Sequence, residues 1–384
     1  MADDPFPGLP FFGDFMKKIS DGGPVHWDTA RQIALLTATG GESEPNPDPS
    51  ARLALVELSR LASMAIEQES GLVAPTREPD AVNRTTWAAR SLDDWKPLFN
   101  DLATALGGAR GDTPADDPFA AMFANLTGML APMTMGMAIG SMVGLLAKRA
   151  LGQYDLPLPR PDDRSPMFVT ANIDGFADEW SLPRDDVRMW VLIQELATHT
   201  LYSIPHLASA VNALVREHAG LFRPDASSIG DKLSELETGD PANLMATFQS
   251  MFSDPEVLLG AVRSPAQETL QPRLDALLAL VVGWVDHLAD RVGARILGNP
   301  QRLAEAARRR RIESGDDTAF VEKLLGLRLN REQVERGRSF VRGVIERAGD
   351  DGLSPLIASG DNLPTPAELD APGLWLARLD VSGA

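Results

Sequence analysis

The chain has 384 residues, 44% hydrophobic and 23% charged, a globular composition with enough apolar material for a sizeable core. It contains no cysteine, which excludes disulfides, thiolate metal ligands and a cysteine nucleophile; His26, His199, His206, His218 and His287 are its only imidazoles. A net charge of −18 argues against non-specific attachment to nucleic acid or to an anionic membrane.

The opening residues, Met1-Ala2-Asp3-Asp4-Pro5-Phe6, lack the basic and apolar stretches of a secretory signal, so a cytoplasmic setting is expected. Residues 1–22, rich in Pro, Gly and Phe, read as an N-terminal arm. Asp28 is placed to cap a helix through Ile33 and Leu36, and the Gly/Pro-rich stretch 40–50 reads as a loop. Leu53, Leu55, Leu58, Leu61, Ala62 and Ile66 recur at helical spacing, and 86–106 reads as a second helix that Pro97 should kink or break. Residues 118–147 carry no charge and are long enough to span a bilayer, but Asn125, Pro132 and Thr134 interrupt them. Gly136, Gly140 and Gly144 fall four apart, a spacing that lets another helix approach closely. A buried helical hairpin is expected there; membrane association through 118–147 is the weaker reading. The whole helical region covers 51–151.

The prolines of 155–161 predict an extended connector, and 167–173 reads as a strand turned by Asp174-Gly175. Ser181 is placed to cap a helix from about Pro183 to Tyr202, with Asp185 and Asp186 in its first turn. Further helices are expected at 207–219, 241–252, 255–262, 272–297, 299–313, 317–326 and 330–348. Within a C-terminal tail at 349–384, Asn362 to Pro372 is proline-bearing and should lie along the surface. Arg308–Arg311, with Glu305 and Glu313, read as a solvated or salt-bridged face, because consecutive helical residues point in all directions. No glycine-rich phosphate loop and no G-x-S-x-G elbow is present. The fold class is mainly α with a small β contribution, in one integrated module over 1–384.

The informative helix contains Gln194, Glu195, Thr198, His199 and Tyr202 among apolar positions. At i,i+4 spacing Gln194 and Thr198 share a face, as do Glu195 and His199. On these residues alone a half-buried helix with satisfied polar partners accounts for the pattern. A wider set of segments adds to it: Gly23-Pro24-Val25-His26-Trp27-Asp28, Gly152-Gln153-Tyr154-Asp155-Leu156-Pro157-Leu158-Pro159, Trp190 to Pro205, Leu259-Gly260-Ala261-Val262 and Asn362-Leu363-Pro364-Thr365-Pro366. In these the chain resembles actinobacterial zincin-like hydrolases and zinc-dependent metalloproteases, some of them associated with deazaflavin-coenzyme biosynthesis.

The resemblance implies a zincin-like metallohydrolase scaffold over 165–348, with extra N-terminal helices. It implies H-E-x-x-H on the 183–202 helix, the histidines holding zinc and the glutamate acting as general base. A third ligand would come from a later E-G-H pattern. Here the first motif reads Gln194-Glu195-Leu196-Ala197-Thr198, and the second falls on Val282-Gly283-Trp284. Glutamine and threonine are weak neutral donors, and an indole only donates a hydrogen bond. Glu195 is retained as a vestigial general-base position, Gln194, Thr198 and Trp284 are the altered ligand positions, and Trp180, Trp190 and Trp284 are expected to fill the site. This points to a pseudoenzyme acting as a binding or interaction module with an unassigned protein partner and no cofactor. The alternative is an active zinc-dependent hydrolase or peptidase with a rearranged metal site of Glu195, His199 and His287, with His206 or Glu217 as further candidate ligands.

Overall fold

The computed structural model describes residues 23–73, 77–107, 118–161, 164–224, 261–262, 264–312, 322, 324–327 and 329–382. The arm expected over 1–22, the helix at 241–252 and most of those at 255–262 and 317–326 lie outside the described residues. In chain order the elements are α1 (Trp27–Thr39), α2 (Pro49–Ser70), β1 (Asp80–Val82), α3 (Arg84–Gly107), α4 (Pro118–Arg149), β2 (Met167–Val169), α5 (Thr170–Glu179), α6 (Arg184–Tyr202) and α7 (Pro205–Gly220). There follow β3 (Arg223–Pro224), β4 (Ala261–Val262), α8 (Pro265–Ile296), α9 (Pro300–Ile312), α10 (Arg331–Ala348), α11 (Ser354–Ala358), α12 (Pro366–Asp370) and α13 (Pro372–Ser382). The expected mainly helical class holds.

The chain divides into two compact units. The smaller comprises Met1–Glu42, Ala88–Leu145 and Ala219–Ser264. Within it α1 and α4 run parallel with small residues facing each other. Ala30, Ala34 and Ala38 are fully buried, and a Cβ added at Gly136 or Gly140 would sit 2.5 Å from the His26 carbonyl oxygen or 2.4 Å from that of Ala30. The four-residue glycine spacing thus serves the close helix approach expected of it. The expected hairpin, however, is one continuous 32-residue helix: Pro132 and the glycines lie inside it. Proline removes one helical hydrogen bond without supplying a turn, and the Pro132 carbonyl accepts from the His26 amide at 2.8 Å. The segment Leu130–Arg149 has a mean hydropathy of 1.6 and is half buried within the fold. His26, not Asp28, caps α1, accepting from the Thr29 amide at 3.3 Å. The helix α3 passes through Pro97 without ending. The pair β3–β4 is antiparallel, so Ala261–Val262 are extended and not helical.

The larger unit comprises Ser43–Trp87, Leu146–His218 and Pro265–Ala384. Its centre is α6, with 14 buried residues out of 19, packed against α2, α5 and α8. A helix buried nearly all round must satisfy its polar side chains internally, which makes those side chains informative. At the crossing of α8 and α10 a Cβ on Gly337 would lie 1.8 Å from the Ala279 carbonyl oxygen, and one on Gly283 would lie 2.3 Å from the Gly337 carbonyl carbon. Gly283 therefore has a packing role.

Three expectations change here. The strand stops at Val169, paired in parallel with β1, and α5 begins at Thr170. Thr170, Ile173, Phe176 and Ala177 are buried at helical rather than alternating spacing, and Gly175 is an exposed helical residue. The left-handed Ser181 (φ 50°) lies before α6, and Pro183 takes the cap position without a side-chain bond. The proline-bearing segment 362–372 lies along the surface with only Glu368 and Leu369 buried, but it carries helix, and the chain beyond it packs into the core. Pro366 and Pro372 open helices, where the missing N–H costs nothing, and a reciprocal Thr365–Glu368 capping box starts α12. Trp375 is fully buried, edge-on to Phe340 at 5.3 Å, with its indole N–H donating to the Asn362 carbonyl at 2.7 Å.

Candidate functional site

All groups of the site belong to the larger unit. The connector Gly152–Arg160 runs against α6; it turns and bends over Gln153–Leu156, short of the extended run expected from Asp155, and Pro157 and Pro159 keep the rest out of helix. The Tyr202 hydroxyl donates to the Pro157 carbonyl at 2.6 Å, and the Trp87 indole donates to the Gly152 carbonyl at 2.7 Å. Arg160, buried with its guanidinium 5.8 Å from the centre of the Trp87 ring, donates to the Gln153 carbonyl at 3.2 Å.

This fastening sets the connector's backbone on Glu195. The Tyr154 amide donates to Glu195 Oε2 at 2.8 Å, and a Cβ at Gly152 would fall 2.3 Å from the Glu195 carboxyl carbon. Only glycine lets the chain approach so closely. Tyr154 also turns its hydroxyl to His199 Nδ1 at 2.7 Å. One connector residue thus bridges the Glu195–His199 pair that shares a face of α6. Glu195 is 6% exposed. Burial first, and the Asp155 carboxylate second, push its carboxyl up to about 8; the Tyr154 and Gln153 amides and the Arg160 charge oppose the rise without cancelling it. At neutral pH the group is mostly protonated.

The neighbouring face of α6 presents Val191, Gln194 and Thr198, with Glu195, to a cavity of about 100 Å³. Across it stand Val281, Val282 and Val285 of α8. The Thr198 hydroxyl donates to the Gln194 carbonyl at 2.8 Å, and Gln194 Nε2, buried from solvent, has no partner among the described residues. Sequence reasoning thus paired Gln194 with Thr198 and Glu195 with His199 correctly. It missed Tyr154 as their bridge, and it read the arginine run only as a paired face. Each of the four is paired, Arg308 with Asp290, Arg309 with Glu305, Arg310 with Asp155 and Arg311 with Asp286, yet Arg310 and Arg311 also line the cavity.

The remaining candidates lie elsewhere. Trp284 is 4% exposed and does not line the cavity. Trp190 packs against Gly293, and Trp180 lies 6.0 Å from Phe176, so the expected filling of the site by the three tryptophans is replaced by valines. His287 is half-buried among Arg291, Asp290, Asp350 and Glu69, its pKa lowered chiefly by burial. His206 bonds the Leu356 carbonyl at 2.8 Å, and Glu217 is exposed. Among the described residues no three His, Asp or Glu side chains are placed to hold a metal ion, so Glu195, His199 and His287 do not assemble as a set. Nor do Gln194 and Thr198 fit zinc: both are neutral oxygen donors, and the threonine hydroxyl is directed back at its own helix.

No curated protein matches the chain. A solved structure from Chloroflexus aurantiacus, described as "a putative hydrolase with a novel fold", superposes with a TM-score of 0.58 over 93% of this chain and 99% of its own, at 22% identity, which shows a shared fold. The family model for zincin-like metallopeptidases matches residues 25–376, and the chain belongs to that family.

Proposed function

We propose that this zincin-like protein has lost metal-dependent hydrolysis and acts as a binding or interaction module. The observation that carries the reading is the pair Gln194 and Thr198 at the cavity, where the resemblance places zinc-binding histidines. Glu195 supports it. A general base must be aimed at a water, whereas this buried carboxyl accepts from the backbone amide of Tyr154 at 2.8 Å.

Metal content of the full chain, purified from zinc-replete cells without chelator and read by elemental mass spectrometry, tests this. Zinc well below one atom per chain is expected; near-stoichiometric zinc would overturn the reading in favour of an active hydrolase. A second arm asks whether the scaffold still frames the old centre. Val282 lines the cavity and Trp284 does not, so Gln194→His and Thr198→His should gain more zinc affinity when combined with Val282→Glu than with Trp284→His. If the Trp284→His combination binds more tightly, the cavity is not the ancestral centre.

A further inference from the structure

The cavity combines two surfaces. One is aliphatic, formed by Val191, Val281, Val282 and Val285 with Leu327 and Leu329. The other is rich in hydrogen-bond donors: Arg149, Arg310 and Arg311 line it together with Gln194. Asp155 and Asp286 hold Arg310 and Arg311 in place, at 3.1 and 2.9 Å, so these guanidinium groups cannot swing away. Each guanidinium carries five donors, more than a single carboxylate accepts. Gln194 Nε2 is the sharpest signal, a buried amide nitrogen at a cavity wall with no acceptor among the described residues. A buried unsatisfied donor is costly and is relieved when a ligand supplies the acceptor. Three carboxyl groups also line the cavity, but Asp155 is paired with Arg310, Glu322 lies in the field of Arg149, and Glu195 is held by the Tyr154 amide.

We propose that this cavity binds a small aliphatic carboxylate, its oxygens on the Gln194 amide and the arginine face and its hydrocarbon body on the valine face. The carboxylate is either a free short-chain acid or the C-terminal residue of a peptide; the chemistry is shared. An inorganic oxyanion would leave the aliphatic wall uncovered, and a neutral amide would bring a second donor to a donor-rich face. The proposal rests on the binding-module reading and names the ligand of the same site.

Isothermal titration of the full chain with butyrate, N-acetyl-leucine, N-acetyl-leucine amide and inorganic phosphate tests it. Saturable binding of butyrate or N-acetyl-leucine is expected, with the amide and phosphate at least tenfold weaker. Binding of N-acetyl-leucine alone identifies a peptide C-terminus as the source, and tight butyrate binding identifies a free acid. Gln194→Leu, checked for an unchanged melting transition, should weaken the carboxylate about tenfold. Equal binding of acid and amide, preference for phosphate, or no carboxylate binding at millimolar concentration would each overturn the proposal. A metal-free protein that ignores carboxylates sinks only the ligand class. A zinc-bound hydrolase that still takes them sinks only the inert reading.

Discussion

Glu195 is a carboxyl whose surroundings favour its neutral form, and this has a consequence for stability. Its folded pKa of about 8 lies above the usual value of 4.5, so the folded chain holds a proton that the unfolded chain releases between those values. Folding is therefore favoured at the acid end of that window, and the contribution is lost as pH rises toward 8. Glu195→Gln, a neutral isostere, should leave stability near pH 5 almost unchanged and raise it at pH 8.5 by an amount on the order of a few kcal/mol. Chemical denaturation at the two pH values checks this. A variant destabilised equally at both would mean that the carboxyl is ionised in the fold. At this scale the helical repeat made part of the site legible. It paired Gln194 with Thr198 and Glu195 with His199 because those relations are local. Tyr154 lies 41 positions from Glu195, and Arg310 lies 155 positions from Asp155, so only folding brings these groups together.

At the scale of elements, glycine marks two opposite situations that sequence does not separate. Gly337 sits where α10 crosses α8, and an added Cβ would meet the Ala279 carbonyl oxygen at 1.8 Å, a backbone atom that cannot rotate away. Gly175 lies exposed within α5 with nothing near its missing Cβ. Gly337→Ala should therefore destabilise by about 2 kcal/mol or more through overpacking, while Gly175→Ala should stabilise by about 0.5–1 kcal/mol through helix propensity. Denaturant midpoints of the two variants read both signs at once, and a stable Gly337→Ala would refute the close crossing. The same ambiguity explains where element boundaries were legible. The helix ending before Pro205 and those near 300 and 331 stand where proline or a capping asparagine punctuates the chain. The helices of the tail went unread because its prolines open helices instead of preventing them, and 167–173 was misread because a helical repeat followed three β-forming residues.

At the scale of the whole molecule, the question is what the net charge of −18 does to a fold whose central cations are already matched. Asp286, only 1% exposed at its side chain, pairs with Arg311 from within the fold, where salt screens poorly. Surface pairs such as Arg309–Glu305, more than half exposed on both sides, contribute little and weaken together in salt. The uncompensated carboxylates remain, and their mutual repulsion opposes the compact state at low ionic strength. Sodium chloride at about 0.15 M shortens the screening length to about 8 Å and should relieve that repulsion more than it weakens the exposed pairs. The Tm at neutral pH should accordingly rise by a few degrees between low salt and this concentration, measured by differential scanning calorimetry. A falling Tm would mean that surface attraction outweighs the net charge. Replacing chloride by butyrate at equal ionic strength separates screening from binding: a ligand that prefers the folded state raises Tm further, in proportion to the logarithm of its excess over the dissociation constant.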